Sequence, residues 1–441
     1  GKVIGIGATI QESKGKIKIG TLVVGAPAWK SKQISEGDEI LKVQSKKGEE
    51  PINVTGMLVD EAVRFIRGEK GTEVVLTLKK KDGTIKEVKM IREEVAIEDT
   101  FARSIIINGA NGKKYGFINL PSFNADFEDA KGRNASDDIK AELIKLKAQN
   151  VEGIILDLRN NGGGSLTEVV DIMGLFMNSG PVVQVKDGNG RVQVMRNKQN
   201  DPIWTGPLVI MQNELSASAS EILAGAMQDY GRAVIVGSPQ SFGKGTVQTF
   251  VELNRFLNTS DDFGALKLTI QKFYRVNGKS TQLKGVESDI PMKDVFSYEE
   301  IGERFDNYAL PWDQVNSSSF TVNNSINVAE LAKNSQSRMA QNKFYQLLLE
   351  SAQWREKLDK EEKISLNLKE FEAVMKTRKA QIDKFKPLIK YNNGLNFALH
   401  ADELARGKTD EVFAKKSENW MKNLKRDIYL QETVNIISEL K

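Results

Sequence analysis

The stretch from Asn213 to Gln248 carries the residue types that could cleave a peptide bond. It begins with the serine run Ser216-Ala-Ser-Ala-Ser220, continues through a predicted short helix, and ends around Gly243-Lys-Gly245. Hydrolysis of an amide needs a nucleophile, a base that takes its proton, and donors for the oxyanion. A serine hydroxyl attacks only when a base lies within hydrogen-bond reach. The stretch therefore indicates serine peptidase chemistry.

The composition narrows the choice of base. The chain has no cysteine, and its one histidine is His400, far along the sequence in a charged helical tail. These facts exclude a thiol peptidase and a His/Cys zinc site, and they leave almost no room for a Ser-His-Asp triad. A lysine amine can act as a base where burial among apolar groups lowers its ordinary pKa of about 10.4. Phe242 and Val247 near Lys244 predict such surroundings, and this chemistry needs no metal or cofactor.

Ser218 also has a purely structural interpretation. Ser218 and Glu221 form an S-x-x-E capping box, so this serine could simply begin its helix. The loop Asn160–Gly164 follows an apolar strand and precedes a helix, where backbone N–H groups could hold an oxyanion, but such turns are also common without function. Found together in a chain without Cys, the serine run, the loop and Lys244 favour the catalytic interpretation.

This stretch is similar to two known motifs, the P-loop and S-x-x-K, but matches neither. Gly237 and Gly243 are separated by five residues rather than the four of a P-loop, and Gly245 rather than Ser or Thr follows the lysine. Ser241 and Lys244 fit S-x-x-K, as in penicillin-binding proteins, but the flanking glycines disfavour the helical turn that this motif needs. We therefore expect neither a nucleotide site nor transpeptidase chemistry at Ser241.

The length and charge of the chain limit its partners. A chain of 441 residues is long enough for two or three domains. Its 63 basic and 59 acidic residues are interleaved and leave a net charge of +4, which gives no reason to expect nucleic acid as a partner.

No apolar run approaches the roughly 18–20 residues that span a bilayer, so stable membrane insertion is not expected. The chain opens with Gly1 rather than Met, which suggests a processed piece.

Residues 1–96 are predicted to form a β-rich domain with a helix at 57–67 and a hairpin around Asp82-Gly83. Three segments occur in the order found in PDZ domains: Gly25-Ala-Pro-Ala28, Glu36-Gly-Asp-Glu-Ile-Leu-Lys-Val43 and Gly68-Glu-Lys-Gly-Thr-Glu-Val-Val-Leu-Thr-Leu78. The region therefore resembles a PDZ domain, in which a glycine-containing loop binds a peptide's C-terminal carboxylate and the peptide adds as a strand. The resemblance assigns the carboxylate loop to Gly5, Ile6, Gly7 and Ala8, with a simple tight turn as the alternative.

The rest of the chain divides by pattern into two further regions. Residues 97–324 alternate predicted strands (115–120, 151–158, 207–211, 233–237) and helices (136–149, 166–177, 218–229), which indicates an α/β core. Strand 266–276 is predicted to turn at Asn277-Gly278 and pair with 280–286. In residues 325–441, aliphatic residues at helical spacing predict helices at 338–351, 367–385 and 410–440. The predicted fold class is thus multidomain α/β, with a PDZ domain, an α/β serine-peptidase core and a C-terminal helical domain.

Several longer segments carry a resemblance to one family. They are Val151–Gly164, Ser216–Ile222, Met227–Ala233, Phe242–Gln248, Thr269–Gly278 and Lys284–Ile290. In these segments the chain resembles the bacterial tail-specific, carboxyl-terminal processing serine peptidases, and similarity extends into the C-terminal helices. The resemblance implies that Ser218 is the nucleophile, that Lys244 is the general base, and that Gln248 orients its amine. It implies oxyanion donors at the backbone N–H groups of Ala219, Gly162 and Gly163.

The family implies a function for the whole chain. We expect a periplasmic endopeptidase that recognises apolar, unstructured C-terminal tails through its PDZ domain and cleaves the tethered protein. Its partners would be such protein substrates, and an adaptor protein that delivers them is left open. The helical region that precedes the PDZ domain in the family does not occur here, so we expect a shortened chain. The alternative is a PDZ scaffold on an inactive core, which binds protein C-termini without cleaving them.

Overall fold

The structure is a computed structural model that describes residues 2–13, 15–96, 101–109, 112–125, 132–256, 263–361 and 363–440. Contacts between Cα atoms divide the chain into two compact units. Unit 1 contains residues 1–99 and 402–420, and unit 2 contains residues 100–401 and 421–441. The predicted domain divisions at residues 96 and 324 stay predictions.

Unit 1 is rich in β-strands in its first hundred residues. Its elements are β1 (Lys2–Gly5), β2 (Ala8–Ser13), β3 (Lys16–Leu22), α1 (Pro27–Lys30), β4 (Glu39–Gln44), β5 (Ile52–Asn53), α2 (Val59–Ile66), β6 (Glu73–Lys79), β7 (Ile85–Ile91) and β8 (Glu93–Ala96). One antiparallel sheet has the order β2-β3-β4-β6-β7, with β5 beside β4, while β1 pairs with β8. The predicted hairpin around Asp82-Gly83 is confirmed, because β6 and β7 pair on either side of it.

Helix α2 is held onto this sheet by its apolar face and by a buried arginine. Ala62 and Ile66 are buried, and α2 packs against β2 and β4. The last carbonyls of a helix have no partner within the helix, so they need donors from elsewhere. The guanidinium of Arg92, which is fully buried, donates to the carbonyls of Phe65 (3.1 Å) and Ile66 (2.9 Å). Arg92 therefore fixes the end of the helix predicted at 57–67.

Unit 2 is organised around a mixed sheet with the strand order β18 (Ile290–Pro291), β15 (Val234–Gly237), β14 (Leu208–Gln212), β11 (Gly153–Asp157), β10 (Lys114–Asn119), β9 (Arg103–Asn108) and β19 (Asn396–Ala398). The elements before its C-terminal part are β9 (Arg103–Asn108), β10 (Lys114–Asn119), α3 (Ala135–Ala148), β11 (Gly153–Asp157), α4 (Leu166–Gly174), β12 (Gly180–Asp187), β13 (Val192–Asn197), β14 (Leu208–Gln212), α5 (Ala219–Asp229), β15 (Val234–Gly237), β16 (Thr246–Glu252), β17 (Ala265–Tyr274) and β18 (Ile290–Pro291). Strands β10, β11, β14, β15 and β18 run parallel. The alternation predicted for an α/β core is confirmed in these elements.

The C-terminal part of the chain is mainly helical. It contains α6 (Val328–Gln341), α7 (Lys343–Asp359), α8 (Leu368–Phe385), β19 (Asn396–Ala398), α9 (Ala401–Thr409), α10 (Glu411–Leu424) and α11 (Ile428–Glu439). The helix predicted at 367–385 is confirmed. The single helices predicted at 338–351 and 410–440 are wrong in their bounds, because Asn342 and Asp427 each cap a new helix with the side-chain oxygen and so interrupt the run.

Strand β11 is buried along its whole length, as its apolar sequence predicts for a strand covered on both faces. Neighbouring residues of a strand point to opposite faces. Gly153 lies against Ile437 of α11, whereas Ile154 and Leu146 of α3 lie together beside Gly116 of β10. Helices far apart in sequence, α3 and α11, therefore cover the two faces of this sheet.

A second sheet in unit 2 has the order β13-β12-β17-β16. The hairpin predicted between 266–276 and 280–286 is wrong beyond its turn, since only Tyr274 and Ser280 form a bridge there. Strand β17 instead pairs with β16 on one side and β12 on the other. Residues 280–286 fold back toward the loop before β16, where Leu283 N donates to Gly243 O (2.7 Å).

Candidate active site

The predicted site segments meet at the carboxyl ends of three neighbouring parallel strands. Strand β11 leads into the loop Asn160–Gly164, β14 into the serine run, and β15 into the segment that carries Lys244. Because the carboxyl ends of adjacent parallel strands lie at one edge of a sheet, loops that follow them come together there. This topology explains how segments distant in sequence form one site.

The three serines of the run have different surroundings. Ser216 is buried, and its Oγ donates to the carbonyl of Leu158 (2.8 Å). Ser220 is also buried, and its Oγ donates to the carbonyl of Asn161 (2.8 Å). Ser218 is partly exposed at the N-cap of α5. Of the three hydroxyl groups, the one predicted to be the nucleophile is the one that a substrate could reach.

Ser218 adopts a backbone conformation that is rare for a residue with a side chain. Its φ is 56° and its ψ is −110°, and non-glycine residues with positive φ occur mainly where the surrounding structure holds them. Its carbonyl accepts from Ile222 N (3.0 Å), and its N–H donates to Glu221 Oε2 (2.8 Å). The capping glutamate predicted from S-x-x-E therefore helps to hold the strained turn.

Glu221 links the serine to the segment that carries Lys244. Its Oε2 accepts from the N–H groups of both Ser218 (2.8 Å) and Lys244 (3.0 Å). Its Oε1 accepts from Gly243 N (2.7 Å) and from Ser241 Oγ (2.6 Å). The carboxyl group is fully buried, and burial raises its pKa from 4.5 to about 7 against the opposing effect of these hydrogen bonds. One carboxylate thus joins both predicted catalytic segments.

Lys244 is half-buried between Gly243 and Gly245. Gly243 has a φ of +92°, and a Cβ there would lie 3.0 Å from the backbone of Leu283, so the chain can pass closely only with glycine. Lys244 Nζ donates to Gln248 Oε1 (3.2 Å), the contact implied by the family resemblance. Within the described residues, no hydrogen bond joins Lys244 Nζ to Ser218 Oγ.

The glycine loop lies directly against the nucleophile's turn. A Cβ on Gly163 would lie 2.8 Å from Ser218 Cβ and 3.1 Å from Ala219 N, and Gly163 has a φ of +108°. The Gly163 N–H, predicted as an oxyanion donor, donates in this structure to Asn161 Oδ1 (2.9 Å). Gly162 is exposed, and Ala219 begins α5, where backbone N–H groups have no partner within the helix. The three oxyanion donors stay predictions.

Asn161 and Glu221 were not predicted as site residues, although both are completely buried beside the site. The Asn161 amide donates from Nδ2 to Leu120 O (2.8 Å) and accepts from Gly163 N, so it fixes the glycine loop. Its signal in the sequence was an amide side chain directly before three glycines, and that of Glu221 was the capping box. The loop was predicted for its backbone N–H groups and Glu221 for its capping box, so neither side chain was predicted to hold the site together.

Ser241 does not offer a second nucleophile. It is completely buried, its Oγ donates to Glu221 Oε1 (2.6 Å), and the same Oγ accepts from Val286 N (2.8 Å). Residues 241–245 are not helical, so the S-x-x-K geometry is not formed. This arrangement counts against transpeptidase chemistry at Ser241.

The one histidine lies at a different place in unit 2. His400 is buried, and its Nε2 is 2.8 Å from the Oγ of Ser104, which donates to Glu142 Oε2 (2.5 Å). His400 thus belongs to a buried polar cluster with Ser104 and Glu142. Within the described residues, no group of three or more His, Asp or Glu side chains is arranged to hold a metal ion.

The predicted carboxylate loop lies in unit 1, between β1 and β2. Gly5 ends β1, Ile6 is buried, and Ala8 begins β2. Gly7 has a φ of +71°, and a Cβ there would lie 2.1 Å from Ala26 Cβ, so only glycine fits. The carbonyls of Ile6 and Gly7 accept from Ala28 N and Val23 N, each at 2.8 Å. The loop is thus fixed on one side by the segment around Gly25-Ala-Pro-Ala28.

The fold and the site together define a candidate serine hydrolase, and comparisons with known proteins give its family. Residues 114–292 match the model of peptidase family S41, and residues 296–441 match that of the C-terminal domain of tail specific protease. The tail-specific protease of Haemophilus influenzae is 42% identical over 332 residues, which cover 75% of this chain and 46% of that protein. The carboxy-terminal processing protease CtpA of Bacillus subtilis is 31% identical over 287 residues, which cover 65% and 55%.

The chain therefore belongs to peptidase family S41 and carries the C-terminal domain of tail-specific proteases. It spans about half the length of the curated relatives it matches. Among solved structures, it is similar to a photosystem II D1 C-terminal processing protease, with 26% identity, coverage of 66% and 73%, and a TM-score of 0.40. It is also similar to the PDZ domain of a Vibrio cholerae carboxy-terminal protease in complex with peptide, with 36% identity, coverage of 22% and 99%, and a TM-score of 0.21. In the described part of the chain, no helix combines the length and apolar character that crossing a membrane requires.

Proposed function

We propose that this chain is a serine endopeptidase in which Ser218 is the nucleophile and Lys244 is the general base. The observation that carries the proposal is the arrangement around Glu221. The same carboxylate oxygen accepts from the N–H groups of Ser218 and Lys244, while the neighbouring serines are buried and donate to backbone carbonyls. The accessible hydroxyl and the amine therefore belong to segments that are anchored side by side.

The reaction would proceed by acyl transfer. Lys244 turns from Gln248 toward Ser218 and takes the hydroxyl proton as Oγ attacks the peptide carbonyl. The N–H groups of Ala219 and Gly162 donate to the oxygen that becomes negative, since donors fixed in advance lower the barrier. The lysine then passes its proton to the leaving amine, and water hydrolyses the ester formed on Ser218. Gln248 accepts from the amine between these steps and orients it.

We assign recognition of apolar C-terminal tails to unit 1 as a PDZ domain. Three features support this: the Gly5–Ala8 loop between β1 and β2, the position of β2 at the edge of its sheet, and the packing of α2 beside β2. A peptide that adds to β2 as a strand would lie between β2 and α2, with its carboxylate at the loop. The family resemblance further supports a periplasmic location and unfolded or tagged proteins as substrates, and it leaves open an adaptor protein that delivers them.

The proposal is tested by mass spectrometry of an unfolded reporter protein with an apolar C-terminal tail. Fragments are expected with the parent chain and none with Ser218→Ala or Lys244→Ala. Ser220→Ala is the matched control, because it removes a hydroxyl from the same run and is expected to retain cleavage. Cleavage by Ser218→Ala would refute the assignment of the nucleophile. A reporter that stays bound and uncut by the parent would favour the scaffold alternative.

A further inference from the structure

Strands β16 and β17 form an exposed apolar ribbon beside the candidate site, which we define as residues 246–252 and 265–271. Phe250 is 68% exposed, Leu266 is 49% exposed and Leu268 is 40% exposed. Consecutive residues 265–270 of β17 are all exposed, so solvent reaches both faces of the ribbon. Apolar side chains grouped on an exposed surface commonly mark a place where another molecule binds.

The ribbon also has an open strand edge. In the sheet order β13-β12-β17-β16, strand β16 is at the end, and among the described residues it pairs only with β17. An edge strand presents unpaired N–H and C=O groups that can accept a further strand. Because these groups occur in every residue, such pairing binds an extended chain almost independently of its sequence.

The edge strand starts at the proposed catalytic residues. Thr246, the first residue of β16, follows Lys244 by two positions, and Gln248, the partner of the lysine amine, lies on the strand itself. Residues two apart on a strand share a face, so Phe250 lies on the same face as Gln248. On the other face, Val251 is paired with Leu266, and Thr249 with Leu268. A chain that passes the dyad would therefore meet apolar side chains on both faces of β16.

We propose that an extended segment of an unfolded polypeptide substrate adds to the free edge of β16 as a further strand. This inference rests on the proposed peptidase function and specifies its substrates: chains with an apolar, strand-forming segment on one flank of the cleaved bond. Alternate side chains of the segment would pack against Phe250 on one face and against Val251 and Leu266 on the other. At 3.3 Å per residue, Thr246–Glu252 spans about 20 Å and would engage about six substrate residues.

Because the chain contains no cysteine, a photo-crosslinker can be placed at a single position. In a Ser218→Ala background, Phe250→Cys is labelled with benzophenone maleimide and irradiated with the unfolded reporter. The control is Val192→Cys, since Val192 is 39% exposed on β13 at the opposite edge of the same sheet. We expect crosslinks at position 250 and few at 192. Absence of crosslinks at 250, or equal yields at both positions, would overturn the inference.

Hydrolysis of peptides with apolar flanks of two, four, six and eight residues gives a second test. We expect kcat/KM to rise with flank length and to level off at about six residues. Phe250→Ser is expected to lower kcat/KM about tenfold for the six-residue flank, whereas Val192→Ser should not change it. If the parent cleaves all lengths equally, the inference fails but the peptidase function stands. If the parent cleaves nothing, the proposed function fails, and the crosslinks still decide the inference.

Discussion

Glu221→Gln is the substitution that most directly tests how the site is held together. The parent carboxylate accepts four hydrogen bonds, two at each oxygen. An amide has one accepting oxygen, so its NH2 group must take the place of either Oε1 or Oε2 of the carboxylate. At the Oε1 position it meets Ser241, whose hydroxyl can turn to accept, and Gly243 N, which cannot. The best orientation thus leaves the Gly243 N–H unpaired, at a cost of about 1–3 kcal/mol.

The stability difference between parent and Glu221→Gln also depends on pH, because the carboxyl group titrates and the amide does not. Burial raises the pKa of Glu221 from 4.5 to about 7, so between these values the folded protein keeps a proton that the unfolded chain has released. This contribution to stability is full below pH 4.5 and is lost as the pH rises through 7, which amounts to about 3 kcal/mol. Glutamine does not titrate. The variant should therefore be less stable than the parent at pH 5 by about 2 kcal/mol, and at least as stable at pH 8.

The measurement is urea unfolding at pH 5 and pH 8, followed by hydrogen exchange in fragments that cover α5, so that unit 2 is observed by itself. Hydrolysis at pH 8 should still fall at least tenfold, because the Lys244 segment loses an anchor. For the loss of hydrolysis, Glu214→Gln is the matched control: burial also raises the pKa of Glu214, but its carboxylate accepts from the hydroxyl groups of Ser238 and Ser297 and not from the backbone of Ser218 or Lys244. A stability difference between parent and Glu221→Gln that is equal at both pH values would refute the reasoning.

Three further substitutions test other parts of the molecule. Gly163→Ala should destabilise unit 2 by more than about 2 kcal/mol and abolish hydrolysis, because it places a Cβ at positive φ only 2.8 Å from Ser218 Cβ. The control is Gly162→Ala, which has open space around it and should leave the thermal midpoint nearly unchanged. Arg92→Met should lower the stability of unit 1 by about 3 kcal/mol and speed hydrogen exchange in α2, because the carbonyls at the end of that helix lose their donor. The control is Arg67→Met, which changes an exposed side chain and should do neither. Ser220→Ala should cost about 1 kcal/mol in thermal unfolding through its lost bond to Asn161 O and still cleave the reporter.

Much of the fold was predictable because its signals are local. The apolar run of β11, the turn at Asp82-Gly83 and the apolar spacing of α3 each indicate an element without reference to the rest of the chain. Strand pairing was less predictable, because it depends on residues far apart in sequence. The segment 280–286 follows a good turn sequence, yet β17 takes β16 and β12 as its neighbours. The helices predicted at 338–351 and 410–440 each run across a boundary between two helices, because Asn342 and Asp427 look like ordinary polar surface positions until their caps are seen.

The residue types of the candidate site could be predicted from the sequence, but the hydrogen bonds that connect its loops could not. The residue types indicated the serine run, Lys244 and a glycine loop. The resemblance added Ser218 as the nucleophile and Gln248, whose contact with the lysine amine is present. It did not indicate that Glu221 connects two loops, because a capping box explains the same pattern by local contacts alone. Likewise, the Gly163 N–H is an attractive oxyanion donor until Asn161 Oδ1 is seen to occupy it. The role of Glu221 depends on a contact between distant segments, and that of Asn161 depends on a side-chain orientation within one loop. Sequence spacing specifies neither.

The serine run itself shows why side-chain surroundings decide function. Three hydroxyl groups in five residues suggest interchangeable nucleophiles, but Ser216 and Ser220 hold the turn to the carbonyls of Leu158 and Asn161. Gly163 packs closely against the same turn, because a Cβ there would lie 2.9 Å from Ala217 O and 3.1 Å from Ala219 N. The backbone around Ser218 is therefore clamped from both sides at a positive φ, and the clamp leaves the central hydroxyl at the surface. A substitution of Ser216 or Ser220 should act through the position of this turn, so the loss of hydrolysis should follow the loss of stability. Ser218→Ala should instead abolish hydrolysis without a matching loss of stability.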